Sequence, residues 1–170
     1  GGTLCGHVRI DGACPAEQPL AVTCQKVGLL FQNPDDQFFC AVVEDEIAFG
    51  LENLGISSGK IDLRIDIALT QVGLLEFRNR PISTLSGGEK QRVALACLCA
   101  MEPPILLLDE PTSYLDPQAS LETLEILCRL NREEGKTVIV ATHRVSELAS
   151  LCDRVWLMSK GELALDLPKE

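Results

Sequence analysis

Residues 105–116 read ILLLDEPTSYLD: an apolar run, two adjacent carboxylates, then a proline. Ile105-Leu106-Leu107-Leu108 has the unbroken apolarity of a strand buried on both faces, as a parallel sheet requires. Asp109 and Glu110 follow at once, and Pro111 forces the chain out of the strand. Runs of the same kind occur at Val27 to Phe31, Val138 to Ala141 and Val155 to Met158, and His7 to Ile10, before the turn Asp11-Gly12, reads as a weaker fifth strand. Longer amphipathic segments alternate with these runs, which is the α/β pattern. Three of the runs lead into polar residues: Phe31 into Gln32, Leu108 into Asp109 and Glu110, and Ala141-Thr142 into His143. In an open parallel sheet the carboxyl ends of the strands share one rim, where ligands bind. The sequence therefore predicts a Gln, two carboxylates and a His along one edge.

Between the first and second buried strands the chain is mainly helical. Ile61, Ile65, Ala68, Leu69 and Val72 recur at i, i+4, i+7, i+8 and i+11, and Gly73 supplies a stop. Residues 40–84 read as a helical subdomain inserted into one α/β domain over residues 1–170. Further on, Asp116 is placed to cap a helix opening at Pro117. Leu121, Leu124, Leu127 and Cys128 read as its buried stripe, and Gly135 as its end. Gly55 to Ile61 (GISSGKI) imitates a phosphate-binding loop, GxxxxGK[ST]. It is one residue short between the glycines, has Ile61 where a hydroxyl is needed and follows no strand, so it reads as a turn opening the next helix.

Composition narrows the function classes. The 170 residues carry a net charge of −10 with no basic stripe, which argues against nucleic acid as the main partner. The longest apolar run, Val93 to Met101, falls well short of the roughly 18 residues that argue a membrane span. Eight cysteines with no CxxC pair read as reduced, buried thiols, with no support for a metal site. No charged-then-apolar leader opens the chain, and Gly1-Gly2 in place of an initiator Met reads as the front of a fragment.

Two stretches carry chemistry. Asp109 directly after an apolar strand has the form of a Walker B motif, whose Asp holds Mg²⁺ on nucleotide phosphates. Glu110 beside it is placed to accept a proton from an attacking water. In Leu85-Ser86-Gly87-Gly88-Glu89 the glycines permit close backbone approach, and a helix follows from about Glu89 to Met101. Such a start offers free N–H groups and a positive dipole end to an anion. The same residues fit an ordinary Ser-capped helix equally well.

Taken together, these motifs resemble the ATP-binding-cassette (ABC) ATPases. Leu85 to Arg92 (LSGGEKQR) is similar to the ABC signature, Ile105 to Asp116 to Walker B running into the D-loop, Ala141-Thr142-His143 to the H-loop, and Gln32 to the Q-loop glutamine. Phe31 to Gln37 (FQNPDDQ) and Glu46 to Gly55 (EIAFGLENLG) resemble the energy-coupling-factor group, which serves uptake of cobalt, nickel and vitamins. The resemblance implies a P-loop NTPase-like α/β fold, ATP and Mg²⁺ as ligands, and a peripheral position on the cytoplasmic face of the membrane. It also implies two partners: a second ABC ATPase subunit in a head-to-tail pair and an integral membrane transporter subunit.

Residue by residue, the resemblance gives Asp109 and Gln32 to the metal, Glu110 and His143 to catalysis, and Gln32 also to the link with the membrane partner. It gives Ser86, Gly87 and Gly88 to the γ-phosphate of ATP held by the other subunit, and Asp116 to the same interface. Three departures stand out. Glu89 replaces the usual Gln, Tyr114 takes a D-loop position usually held by a small residue, and no Walker A motif occurs. Gly1 to Gly12 resembles the segment after the Walker A helix, so a strand–loop–helix unit is expected upstream, and residues 1–170 alone are expected to be inactive. A non-transport ABC protein acting on nucleic acid and a catalytically silent regulatory subunit are the rival expectations. Phe38 and Phe39, after the Gln32 loop, read either as core or as a dock for a membrane partner's helix.

Overall fold

The computed structural model describes residues 6–113 and 115–168. Its centre is a three-stranded parallel sheet in the order β1 (Val27–Leu30), β2 (Ile105–Asp109), β3 (Thr137–Ala141). Leu30 pairs with Leu108, Leu108 with Val140 and Asp109 with Ala141, so the three carboxyl ends lie level. The residues after each strand are thereby delivered to one rim, as the sequence predicts.

Helix α4 (Gly87–Met101) is the hub of the core, with Val93, Ala94, Leu95 and Ala96 fully buried. It packs on β1 at close range: a Cβ at Gly28 would lie 2.8 Å from Pro103 Cγ and 3.0 Å from Leu98 Cδ2. Only a glycine admits that approach. The helix stops at Glu102, which adopts φ 57°, and Pro103-Pro104 prevents its continuation.

Between β1 and α4 run α2 (Val43–Asn53) and α3 (Ser58–Gln71), counted after the short α1 (Leu20–Cys24). Ile65, Ala68, Leu69 and Val72 are buried and Ile61 half-buried, so the stripe read from the sequence faces the core. Gly55, at φ 71°, provides the turn before α3, in keeping with the rejection of GISSGKI as a phosphate loop. Val43 N–H donates to Arg80 O and Ile82 N–H to Ala41 O, so the helical stretch leaves and returns at one place. Arg78 ties it together through Glu44, Asp62 and Asp66 at 2.6–2.8 Å.

Past β2, α5 (Pro117–Arg132) carries its first residue, Pro117, where the sequence puts it. Its buried side is Ser120, Thr123, Leu124, Ile126, Leu127 and Leu130. Leu121, expected in the stripe, is 57% exposed, and Cys128 is only half-buried. The stripe is rotated because the ridge that meets the sheet runs through 120, 123, 127 and 130, at i, i+3 and i+4 spacing.

Two strand readings need correction. Val155 to Met158 does not join the parallel sheet: β4 (Arg154–Ser159), after the single turn α6 (Val145–Leu148), pairs antiparallel with β5 (Glu162–Pro168) in a separate two-stranded sheet. An apolar run does not reveal its partner, and here the positive φ angles of Lys160 and Gly161 (51° and 81°) fold the chain straight back as a hairpin. His7 to Ile10 is no strand. Only Ile10 bridges to Ala13 around the Asp11-Gly12 turn, because no neighbouring strand among the described residues pairs with the run.

Cys14, Cys24, Cys40, Cys97, Cys99 and Cys128 are free, Cys99 buried and the others half-buried. Burial pushes the Cys99 thiol up to about 12, as expected of an inert reduced thiol. Among the described residues no helix is long and apolar enough to cross a membrane. Tyr114 and Gly1 to Cys5 lie outside the described residues.

Candidate active site

Glu110 is the pivot of the rim. Its N–H donates to Ala141 O at 2.8 Å, the last bond of the β2–β3 ladder, and its backbone then turns to φ 47°. Positive φ is rare for a residue with a Cβ, and such strained positions concentrate at functional sites. Ser113 holds the turn from the other side, its N–H and hydroxyl both donating to Glu110 O at 3.1 Å.

The strained backbone aims the carboxylate across to the end of β3. The Thr142 hydroxyl donates to Glu110 Oε2 at 3.0 Å, the His143 N–H donates to Oε1 at 2.9 Å, and His143 Nδ1 lies 2.6 Å from the same oxygen. Burial by itself would raise the Glu110 carboxyl. The His143 ring, the Thr142 hydroxyl and the His143 amide outweigh it and hold the group below the usual carboxylate range. Glu110 is therefore ionised, while the His143 ring stays 74% exposed toward the rim.

Asp109 is exposed one position earlier, its carboxylate taking no hydrogen bond or ion pair among the described residues. Gln32 is exposed two residues beyond the end of β1, the strand next to β2. A carboxylate and an amide oxygen are hard donors of the kind Mg²⁺ takes, usually one or two from protein with phosphates and waters completing the shell. The donor set thus fits Mg²⁺. Gln37, given no role of its own in the sequence reading, braces the loop: its side chain accepts from Phe31 N–H at 3.0 Å and donates to Leu29 O at 3.4 Å.

The Ser86 motif forms a separate cluster. Ser86 caps α4 in a full capping box, accepting from Glu89 N–H while its own N–H donates to Glu89 Oε2 at 2.7 Å. The Glu that replaces the usual Gln thus has a structural task, and its carboxyl is held below the ordinary value by the Ser86 amide and then the Ser86 hydroxyl. A Cβ on Gly88 would stand 3.2 Å from Ala119 Cβ and 3.8 Å from Leu115 Cδ2, so this turn is seated against the start of α5. Asp116 caps α5, accepting from Gln118 and Ala119 N–H at 2.9 and 3.0 Å. Among the described residues Ser86 makes no hydrogen bond to Gln32, Asp109, Glu110 or His143.

Strand, strained acid and histidine share one rim, and a capped Ser-Gly-Gly helix start stands apart from them. The sequence model of the ABC transporter family matches residues 3–113. The chain belongs to the ABC transporter family. It is 48% identical over 147 residues to the energy-coupling factor transporter ATP-binding protein EcfA1 of Caldanaerobacter subterraneus subsp. tengcongensis, covering 86% of this chain and 53% of that protein. Among solved structures, cbiO1 of Clostridium perfringens, part of the ABC transporter complex cbiONQ, superposes with a TM-score of 0.78 at 38% identity, over 84% of this chain and 57% of that one. The ATP-binding cassette MJ0796, in a dimeric post-hydrolysis state bound to ADP and Pi, gives a TM-score of 0.82 at 28% identity, over 94% of this chain and 71% of that one. The chain spans about half the length of the EcfA1 relative, and 26% of a longer one from Methanosarcina acetivorans. The P-loop NTPase-like α/β fold expected from the motifs is the fold of these cassettes.

Proposed function

We propose that this ABC chain is the motor part of an ATPase that drives solute uptake through a membrane transporter of the energy-coupling-factor type. The observation that carries the reading is the Glu110 carboxylate, ionised at the end of β2 and bonded to Thr142 and His143 at the end of β3. A carboxylate kept charged beside a nucleotide rim is equipped to take a proton from water. His143 both orients that carboxylate and exposes its ring where a γ-phosphate would lie. Asp109 and Gln32 would hold Mg²⁺, which when bound offsets phosphate charge. Ser86, Gly87 and Gly88 would face ATP held by a second ABC subunit, and Asp116 would meet that subunit.

Residues 1–170 contain no GxxxxGK[ST] loop. By themselves they offer the rim carboxylates to a polyanion without a cradle of backbone N–H groups, so they are expected to bind ATP weakly and not to hydrolyse it. The 40–84 helical stretch, whose ends pair with each other, is assigned as the unit that meets the membrane subunit. Phe38 packs on the core, whereas Phe39 is 78% exposed and stacked 5.6 Å from Phe49. The similarity to EcfA1 and cbiO1 supports an energy-coupling-factor transporter, and the resemblance of the 31–37 and 46–55 stretches to that group extends the proposal to uptake of cobalt, nickel or a vitamin at the cytoplasmic membrane face.

The test is Glu110→Gln in the full-length protein. Equilibrium binding of Mg-ATP is expected to persist while steady-state hydrolysis slows about 10²–10⁴-fold, the usual worth of a general base. Turnover close to that of the unsubstituted protein removes Glu110 from the chemistry and this reading with it.

A further inference from the structure

Two turns meet at the rim, residues 110–113 after β2 and residues 142–144 after β3. Beyond the ladder bond, they are joined by two sets of contacts that share no atom. One set is the Glu110 carboxylate with Thr142 and His143. The other is Arg144, whose Nη1 donates to Thr112 O at 3.2 Å and whose Nη2 donates to Ser113 O at 3.1 Å. The Arg144 N–H also donates to the Thr142 hydroxyl at 3.1 Å, and the guanidinium lies 3.6 Å from Glu147 at the far side. Arg144 is half-buried, so water competes less for these bonds than at an open surface.

Resting on the proposed function, we infer that Arg144 is a positioning residue, holding the entry of the D-loop to the H-loop independently of Glu110. The Glu110 set is engaged only while that carboxylate faces His143. A carboxylate that turns toward a water loosens all of those contacts together. The two guanidinium bonds, to Thr112 O and Ser113 O, use none of the carboxylate's partners, so they survive that movement. A planar guanidinium suits this task because its fork spans two successive carbonyls, which a Lys ammonium does as a single point. The consequence is a link from Thr112 and Ser113, at the entry of the D-loop, to the turn that carries His143. A subunit that presses on Thr112 and Ser113 can therefore displace His143 without acting through the acid.

The experiment uses the full-length protein as wild type, Arg144→Ala and Arg144→Lys, each alone and combined with Glu110→Gln. Amide hydrogen exchange is read at Ser113 and Leu115, whose N–H groups donate to Glu110 O and Thr112 O within the turn. Arg144→Ala is expected to speed exchange at both amides about tenfold, with Glu110 intact and equally in the Glu110→Gln background, while the interior of α4 stays protected. With Glu110 intact, kcat is expected to fall about tenfold with KM for ATP within about twofold, and Arg144→Lys to recover part of the loss. A merely structural role would not separate kcat from KM or be rescued by Lys.

Unchanged exchange at Ser113 and Leu115, or faster exchange that vanishes in the Glu110→Gln background, overturns the inference. Should Arg144→Ala fail to fold, the Lys variant carries the same comparison at smaller amplitude. A wild-type protein that hydrolyses no ATP sinks the proposed function instead, and the exchange arms still decide the role of Arg144.

Discussion

Glu46 offers a perturbation whose size follows from the geometry. It is a buried carboxylate on α2, and its Oε2 accepts from both Phe39 N–H at 2.8 Å and Cys40 N–H at 2.6 Å. Those two amides belong to the stretch that leads from the Gln32 loop into α2, so Glu46 fixes where Phe39 stands. Glu46→Ala removes two hydrogen bonds to a charged acceptor and leaves both donors without a partner. At the low end for charged bonds, because water can reach this part-buried stretch, the loss is about 3 kcal/mol. Glu46→Gln can set its amide oxygen where Oε2 was and keep both bonds as neutral ones, a loss of about 1 kcal/mol. For a domain of this size these losses correspond to drops in Tm of about 6–12 °C and about 2–4 °C. Thermal unfolding followed by circular dichroism in the purified protein reads both. A loss near zero for Glu46→Ala would show that the bonds to Phe39 and Cys40 contribute nothing to stability.

Phe39→Asp is expected to leave Tm within about 4 °C, since Phe39 gives up little more than its stacking on Phe49. In the assembled transporter it should abolish uptake while ATP hydrolysis continues, and a variant that unfolds instead would return Phe39 to the core. The acid limb of stability follows from Glu89 and Glu110, both held below their ordinary value in the folded chain. A depressed folded value means stability fully present above the unfolded carboxylate range and lost as pH falls through the folded value. Denaturant midpoints measured downward from pH 6 should therefore fall below about pH 4.5, and Glu89→Gln should flatten part of that fall. A slope unaltered by Glu89→Gln would show that the capping-box carboxylate does not couple to folding.

What could be read in the sequence was local. Ile105 to Leu108 followed by Asp109 and Glu110 specifies a strand and its end without reference to the rest of the chain. The S-x-x-E spacing of Ser86 and Glu89 likewise specifies a capped helix start, which the structure forms. The hairpin was missed for the opposite reason. Val155 to Met158 is as apolar as the buried strands, and its true partner was signalled only by Leu163, Leu165 and Leu167 at every second position and by the Lys160-Gly161 turn. Leu121 was misplaced because a helix face is fixed by what it meets, not by apolarity alone: 57% of Leu121 remains exposed although it sits one turn from Leu124. Arg144 had no signal at all. Its partners are the carbonyls of Thr112 and Ser113, and every residue carries a carbonyl, so no pattern of side chains betrays the contact.

The segment from Glu110 to Ala119 gathers these observations into one device. At its start, Glu110 and Arg144 bind it to the end of β3. At its finish, Asp116 fixes the first turn of α5, and Leu115 and Ala119 lie where a side chain on Gly88 would have to go. Its two ends thus touch the H-loop and the signature turn of the same chain, which otherwise share no hydrogen bond among the described residues. The middle of the segment is anchored as well, since Thr112 is fully buried and Pro111 buried beside it. The anchors thus lie at residues 110–113 on one side and at Leu115, Asp116 and Ala119 on the other. The signature turn is therefore joined to this segment by close packing, and a side chain at Gly88 would have to push Ala119 aside, whereas the end of β3 is joined to it by hydrogen bonds.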